Sequence, residues 1–272
     1  SEQKEAIKAI RNDLAREKAA KRMIVGDVGS GKTMAILAAA ATAYPHKVLL
    51  MAPTSILAMQ LYGEAKKYLD FDVSLVSANK SEGDYKRAPF VIGTHALLYK
   101  DDLPRPDLVM VDEQHRFGVK QRQGLAMLMG SRGRRPHFLQ FSATPIPRTQ
   151  AMMESKMIDV SLITTTPFEK DITSRVIGPA DFGGLKAHIE SEIQKGHQSL
   201  IIYPLVSESE NFQYQSLEEG QSYWFNHFSK VYVTHGRDKN KDAVLEEFAK
   251  WGNILLATTV VEVGISLPKL ST

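Results

Sequence analysis

Ile7, Ile10 and Leu14 recur at helical spacing among polar residues, so Glu2 to about Arg16 is predicted as an amphipathic helix. The pattern then changes to short, unbroken apolar runs separated by helical stretches. Met23–Val25, Val48–Met51, Phe90–Ile92, Leu108–Val111 and Phe138–Phe141 read as strands, and Lys32–Ala43 and Ile56–Leu69 as helices. Continuous apolar runs, rather than strict alternation, suit parallel strands covered on both faces. Alternating βα units of this kind predict an open, doubly wound sheet.

Ile163–Thr173, ITTTPFEKDIT, breaks the pattern with a proline among threonines and is expected to be an interdomain linker. Beyond it the alternation restarts, with strands at Arg175–Ile177, Ser199–Tyr203, Val231–Val233 and Ile254–Ala257. The helices between them are Asp181–Lys195, Leu217–Phe228 and Lys239–Trp251. The expected organisation is therefore α/β with two domains, 1–165 and 166–272. The second resembles the first in architecture but has fewer units.

Composition narrows this picture only a little. A chain of 272 residues accommodates two domains, and its charges of both signs are dispersed without a long acidic or basic block. The net charge of +3 permits a nucleic-acid partner through a local patch without arguing for one. The sequence has no cysteine, which removes disulfides and thiolate metal sites. No apolar run approaches the ~20 residues that span a bilayer, so no membrane association is expected. The polar opening SEQKEAIKAI is no signal peptide. It lacks an initiator Met, and the closing LPKLST carries neither helix stop nor tail composition, so the chain reads as a piece of a longer protein. The scattered histidines read as surface or core residues rather than metal ligands.

Three stretches carry chemistry. Gly26-Asp27-Val28-Gly29-Ser30-Gly31-Lys32-Thr33 fits G-x-x-x-x-G-K-[ST] between a predicted strand and a predicted helix. Glycines allow the backbone to wrap an anion, and the helix N-terminus adds unpaired N–H groups and the positive end of its dipole. Lys32 would reach the β- and γ-phosphates of a nucleotide, and the Thr33 hydroxyl would sit on Mg²⁺. About eighty residues later, DLVMVDEQH delivers two carboxylates at the C-terminal end of a predicted strand, where ligands bind in parallel sheets. Asp112 is suited to hold Mg²⁺ through water, and Glu113 to orient and deprotonate an attacking water. The third stretch, FSATPIPRT, offers Ser142 and Thr144 as hydroxyls able to link a γ-phosphate site to a second ligand. Taken alone it also fits a helix cap before Pro145.

The ordered set GDVGSGKT, APTSILAMQ, IGTHALL, VDEQHRFGVKQR, FSATPIPRT and LLATTVVEVGISLP resembles the motifs of superfamily 2 helicases over nearly the whole chain. DEQHRFGV with SATPIPRT is more specific and is similar to the motor of the RecG family, bacterial ATP-dependent helicases that remodel branched DNA. The transcription-repair coupling translocases are the nearest alternative, but their pattern typically reads GDVGFGKT and DEEHRFGV. Ser30 and Gln114 favour the RecG type. The resemblance implies two RecA-like P-loop NTPase domains, the second incomplete, with ATP and Mg²⁺ as cofactors. It further implies a DNA partner in the form of forks and junctions, and an intact enzyme that is a monomer in the bacterial cytoplasm.

Carried over by position, the resemblance gives Lys32, Thr33, Asp112 and Glu113 the ATPase roles above and makes Gln3 the adenine-reading glutamine. Gln114, His115 and Arg116 would couple hydrolysis to motion beside the Mg²⁺ site. Pro53, Thr54, Gly93, Thr94 and His95 fall in motifs that grip the DNA backbone. The residues themselves leave phosphate donors and helix caps equally open. Ser142, Thr144 and Arg148 belong to the coupling stretch, and Thr258, Thr259, Glu262 and Gly264 to the motif that links DNA to ATP from the second domain. Ser266 stands where the family usually has Asp, and no arginine-finger motif, wedge domain or C-terminal hook is found in the sequence. Slow hydrolysis by the chain alone is the resulting expectation, and a nucleotide- or DNA-binding module without turnover is the alternative class.

Overall fold

The computed structural model describes residues 1–27, 29–77, 80–113, 117–130, 135–143, 158–165, 171–207, 215–236, 238, 240–258 and 267–272. The chain divides into two compact units, Ser1–Lys170 and Asp171–Thr272.

In the first unit, helix α1 (Glu2–Leu14) precedes strand β1 (Lys21–Gly26), α2 (Lys32–Ala43), β2 (Val48–Met51) and α3 (Ser55–Tyr68). Strands β3 (Val73–Val76), β4 (Ser81–Glu82) and β5 (Phe90–Gly93) follow, then a 3₁₀ turn at His95–Tyr99. Strand β6 (Leu108–Asp112), helix α4 (Val119–Gly130), β7 (His137–Ser142) and β8 (Asp159–Ile163) complete it. The eight strands lie in the order β4-β3-β5-β2-β6-β7-β1-β8. Every pairing is parallel except β3 with β4. β2, β3, β5, β6 and β7 are buried at every position, as parallel strands covered on both faces are. One face packs against α1, α2 and α3 through residues such as Ile10, Ile36, Leu50, Phe90 and Phe141. The other packs Leu49, Val91, Val109 and Phe138 with Leu97 and Leu125. At the back of β1, Arg22 Nε donates to the fully buried Asp13 carboxylate of α1 at 2.5 Å, fixing that helix to the strand.

The second unit holds α5 (Phe182–Gln194), β9 (Ser199–Tyr203), α6 (Leu217–His227), β10 (Val231–Thr234), α7 (Lys241–Trp251) and β11 (Ile254–Thr258). Its sheet is parallel, in the order β10-β11-β9. Only the central β11 is buried throughout, whereas β9 and β10 are partly open. Trp224 anchors its core and donates through Nε1 to the Tyr203 hydroxyl at 2.8 Å.

Two expectations change. Arg175–Ile177 forms no strand: Val176 is fully exposed and Ile177 half-exposed, and the segment joins no sheet despite its β-branched residues. Ile163, expected to open the linker, is instead the buried last residue of β8. The paired stretch therefore extends further than the Thr- and Pro-containing sequence indicates.

Candidate nucleotide site

Parallel strands place their C-terminal ends on one edge, and the register brings three of them level. Val25 stands opposite Ser142 of β7, and Phe141 opposite Asp112 of β6. The loop from Gly26 to Gly31 leaves β1 at this edge and ends at the N-terminus of α2. Gly31 is the cap there, with φ +92° and ψ 23°, a left-handed conformation natural to glycine. Ser30 is fully buried, and its carbonyl accepts a 2.7 Å hydrogen bond from Gln3 Nε2 of α1.

Lys32 Nζ lies 3.2 Å from Glu113 Oε1, joining residues 81 apart in sequence. Glu113 is 4% exposed, so this ion pair is shielded from water and weakly screened. The same carboxylate accepts from the Ala143 amide at 2.9 Å and from Ser142 Oγ at 3.2 Å. Its own N–H donates to the Phe141 carbonyl at 2.9 Å, and its φ of 48° is in the left-handed region. A carboxylate held there against backbone preference, at a cost of about 1–3 kcal/mol, marks a position specified by its surroundings. Asp112, one residue before it, is buried at the end of β6.

The loop, Lys32, Glu113 and Ser142 are thus gathered at one edge. The Thr33 hydroxyl and Asp112 carboxylate are hard oxygen donors, the chemistry that Mg²⁺ takes. Among the described residues no group of three His, Cys, Asp or Glu converges as an all-protein cage. Mg²⁺ characteristically completes its shell with waters and substrate phosphates instead, so these two residues fit it.

The residues expected to face DNA have local partners. Thr54 caps α3 by accepting from the Leu57 amide at 3.3 Å, and Thr94 caps the 3₁₀ turn by accepting from the Ala96 amide at 3.4 Å. A Cβ on Gly93 would lie 2.2 Å from the Val76 carbonyl oxygen, so close packing demands glycine there. Pro53 precedes the Thr54 cap, and the His95 ring meets Tyr99 edge-on at 6.3 Å. Thr258 ends β11 in the second unit, buried opposite Tyr203. Val28, Gln114, His115, Arg116, Thr144, Arg148, Thr259, Glu262 and Gly264 lie outside the described residues. Sequence reasoning does not single out Glu2, whose contacts to Thr164 and Thr165 cross 162 and 163 positions. An acidic residue in a helix's first turn is too ordinary to mark it.

The family described as DEAD/DEAH box helicase matches residues 1–153, more than half the chain. The chain is 52% identical to the ATP-dependent DNA helicase RecG of Helicobacter pylori, over 99% of its own length and 45% of the relative's. It is 38% identical to RecG of Aquifex aeolicus, covering 98% of this chain and 36% of that protein. It thus spans under half the length of these curated relatives. Among solved structures, RecG bound to a three-way DNA junction superposes with a TM-score of 0.77 at 32% identity, covering 99% of this chain and 37% of that one. A single-residue variant of S. cerevisiae Dbp5 bound to RNA and ADP BeF3 gives a TM-score of 0.67 at 17% identity, over 99% and 76%, a likeness of fold alone.

Proposed function

The chain belongs to the DEAD/DEAH box helicase family, and from that premise we propose that it is the ATP-driven motor of a RecG-type helicase acting on branched DNA. The observation that carries this reading is the convergence of Lys32, Glu113 and Ser142 at the strand ends beside the glycine loop. In the proposed organisation residues 1–165 form the ATP-binding RecA-like domain, and 166–272 belong to a second RecA-like domain.

The loop amides from Gly26 to Gly31 and the N-terminus of α2 cradle the phosphates. Lys32 has one ammonium group and two claimants, the Glu113 carboxylate and the β/γ-phosphates. A phosphate that takes Lys32 leaves Glu113 held by Ser142 and Ala143, with Oε1 turned to a water. Glu113 then orients that water and receives its proton as it attacks the γ-phosphorus, while the bond to the β–γ bridging oxygen breaks and ADP leaves. Thr33 and Asp112 would hold Mg²⁺, which when bound would neutralise charge on the phosphates. Ser142, bonded to the base, belongs to the stretch that would carry the state of the site towards DNA. The capped turns at Thr54 and Thr94, with Pro53, Gly93 and His95 beside them, would face DNA phosphates. The substrate is proposed as forked and junction DNA, and the setting as the bacterial cytoplasm, with the intact enzyme a monomer.

ATP hydrolysis by the intact protein, with and without forked DNA, tests this beside a Lys32→Ala variant. DNA-stimulated turnover that falls at least about 10²-fold in the variant is expected, since Lys32 is the phosphate-binding cation. Turnover indifferent to both DNA and Lys32 would defeat the reading.

A further inference from the structure

The first turn of α1 meets two segments of the first unit at once. Gln3 donates to the Ser30 carbonyl of the phosphate loop at 2.7 Å. Its neighbour Glu2 accepts from the amides of Thr164 and Thr165 at 2.6 and 2.9 Å, and from each of their hydroxyls at 2.8 Å. These threonines are the first residues after β8, whose final Ile163 stands opposite Gly26, the first residue of the phosphate loop. The chain leaving the sheet on the way to the second unit is therefore fastened beside that loop.

Amides just past a strand end normally turn to water or to a local side chain. Here one carboxylate from the far end of the unit collects both amides and both hydroxyls. Charge-assisted bonds of this kind are the stronger class and fix geometry. The Thr165 amide is the main reason that the Glu2 carboxyl is held down at about 2. Glu2 thus stays ionised and accepting throughout the neutral range. Among the described residues its side chain bonds to Thr164 and Thr165, and not to the phosphate loop or the Lys32–Glu113 pair.

We propose that Glu2 is a positioning residue that ties the exit of the first unit to the nucleotide loop through one turn of α1. A shift of the loop moves Gln3, Gln3 and Glu2 move as one helical turn, and Thr164–Thr165 follow. The segment that leads to the second unit thereby receives the state of the nucleotide site directly, without passing through Glu113. This inference rests on the ATP-motor reading above.

The test is amide hydrogen exchange at Thr164 and Thr165 in the intact protein, with and without ADP–Mg²⁺, for the native sequence, Glu2→Ala and Thr165→Val. Loss of a charged acceptor should speed exchange at both amides about tenfold in Glu2→Ala, and less in Thr165→Val, which loses only a hydroxyl donor. The change that nucleotide causes at these amides in the native protein should disappear in Glu2→Ala. DNA-stimulated kcat should fall about fivefold, while KM for ATP and unstimulated turnover stay within about twofold. Unchanged exchange in the nucleotide-free Glu2→Ala protein overturns the tie itself, whatever becomes of the motor reading. Faster exchange with stimulated turnover intact overturns the coupling. Thr165→Val answers the same question if Glu2→Ala folds poorly, and the Lys32→Ala assay judges the motor reading separately.

Discussion

Gly31→Ala and Gly63→Ala are the same chemical change, and the structure gives them opposite signs. Gly31 has a φ of +92°, where an alanine costs about 1–2 kcal/mol. The added Cβ would stand 2.0 Å from Gln3 Nε2, so Gln3 must move and surrender its bond to the Ser30 carbonyl. That bond is worth about 0.5–1.5 kcal/mol. Alanine returns about 0.4–1 kcal/mol by restricting the unfolded chain. The net is a destabilisation of about 2 kcal/mol, with nucleotide affinity lost in addition because the cradle is distorted. Gly63 lies in α3, where an added methyl carbon would meet nothing within 4 Å, so alanine there should stabilise by about 0.5–1 kcal/mol.

The assay is urea unfolding followed by far-UV circular dichroism, with tryptophan fluorescence as an internal reference. Both tryptophans, Trp224 and Trp251, lie in the second unit, so fluorescence should register neither substitution. Gln3→Ala completes the cycle. The three atoms nearest the added Cβ all belong to Gln3, so removing that side chain relieves the closest clash but leaves the backbone strain. The two substitutions share one hydrogen bond and should be non-additive by about 1 kcal/mol. Equal signs at positions 31 and 63, or strict additivity of Gly31→Ala with Gln3→Ala, would refute the reasoning.

Ser142→Ala removes a donor to the buried Glu113 carboxylate, and should lower DNA-stimulated ATP turnover roughly tenfold while nucleotide Kd moves less than about threefold. An equal loss in Kd, measured by titration with a fluorescent nucleotide, would place Ser142 in binding instead. Glu192 of α5 is held down to about 2 from the ordinary 4.5, first by Lys195, then by His197 and Ser271. A carboxyl depressed in the folded state adds stability that is present above 4.5 and disappears as pH falls towards 2. Glu192→Gln should therefore flatten that part of the acid-side decline in the second unit's thermal midpoint, read by tryptophan fluorescence. An unaltered pH profile would show that the contacts do not persist in solution.

What the sequence makes legible follows from how far each signal reaches. β2, β5 and β6 are buried on both faces, so burial is written into consecutive apolar residues, and β7 remains legible although Gln140 interrupts its Phe138–Phe141 run. β8 escapes that pattern because Asp159 and Ser161 interrupt it, and its outer residues are partly open at the sheet edge. In β3 Ser74 breaks the run in the same way, and two-residue β4 leaves no pattern at all. Helix α4 carries Gly124 mid-way and buries Leu125 with little amphipathic contrast, so no helical stripe announces it. Arg175–Ile177 shows the converse, β-branched residues with no strand beside them. In the site, the glycine loop and the Asp112–Glu113 pair are legible because each is local. The Lys32–Glu113 and Glu2–Thr164 contacts join residues 81 and 162 apart, and only the sheet order brings them together.

That sheet order also separates two routes out of the nucleotide loop. β1 carries the loop, and its Arg22 is bonded to buried Asp13, so β1 and α1 move together. On one side β8 is hydrogen-bonded to β1 along five residue pairs and runs straight into Thr164, so backbone continuity joins loop, strand and exit. On the other side β7 stands between β1 and β6, and Glu113 is reached by side chains, from Lys32 and from Ser142. A side-chain contact can be exchanged for a phosphate without disturbing the sheet, whereas the backbone route cannot be broken without unpairing a strand. The chemistry therefore sits on the exchangeable route, and the Glu2 tie fastens the exit beside the permanent one. Substitutions at Ser142 should change how fast ATP is turned over, and substitutions at Glu2 should change what that turnover moves.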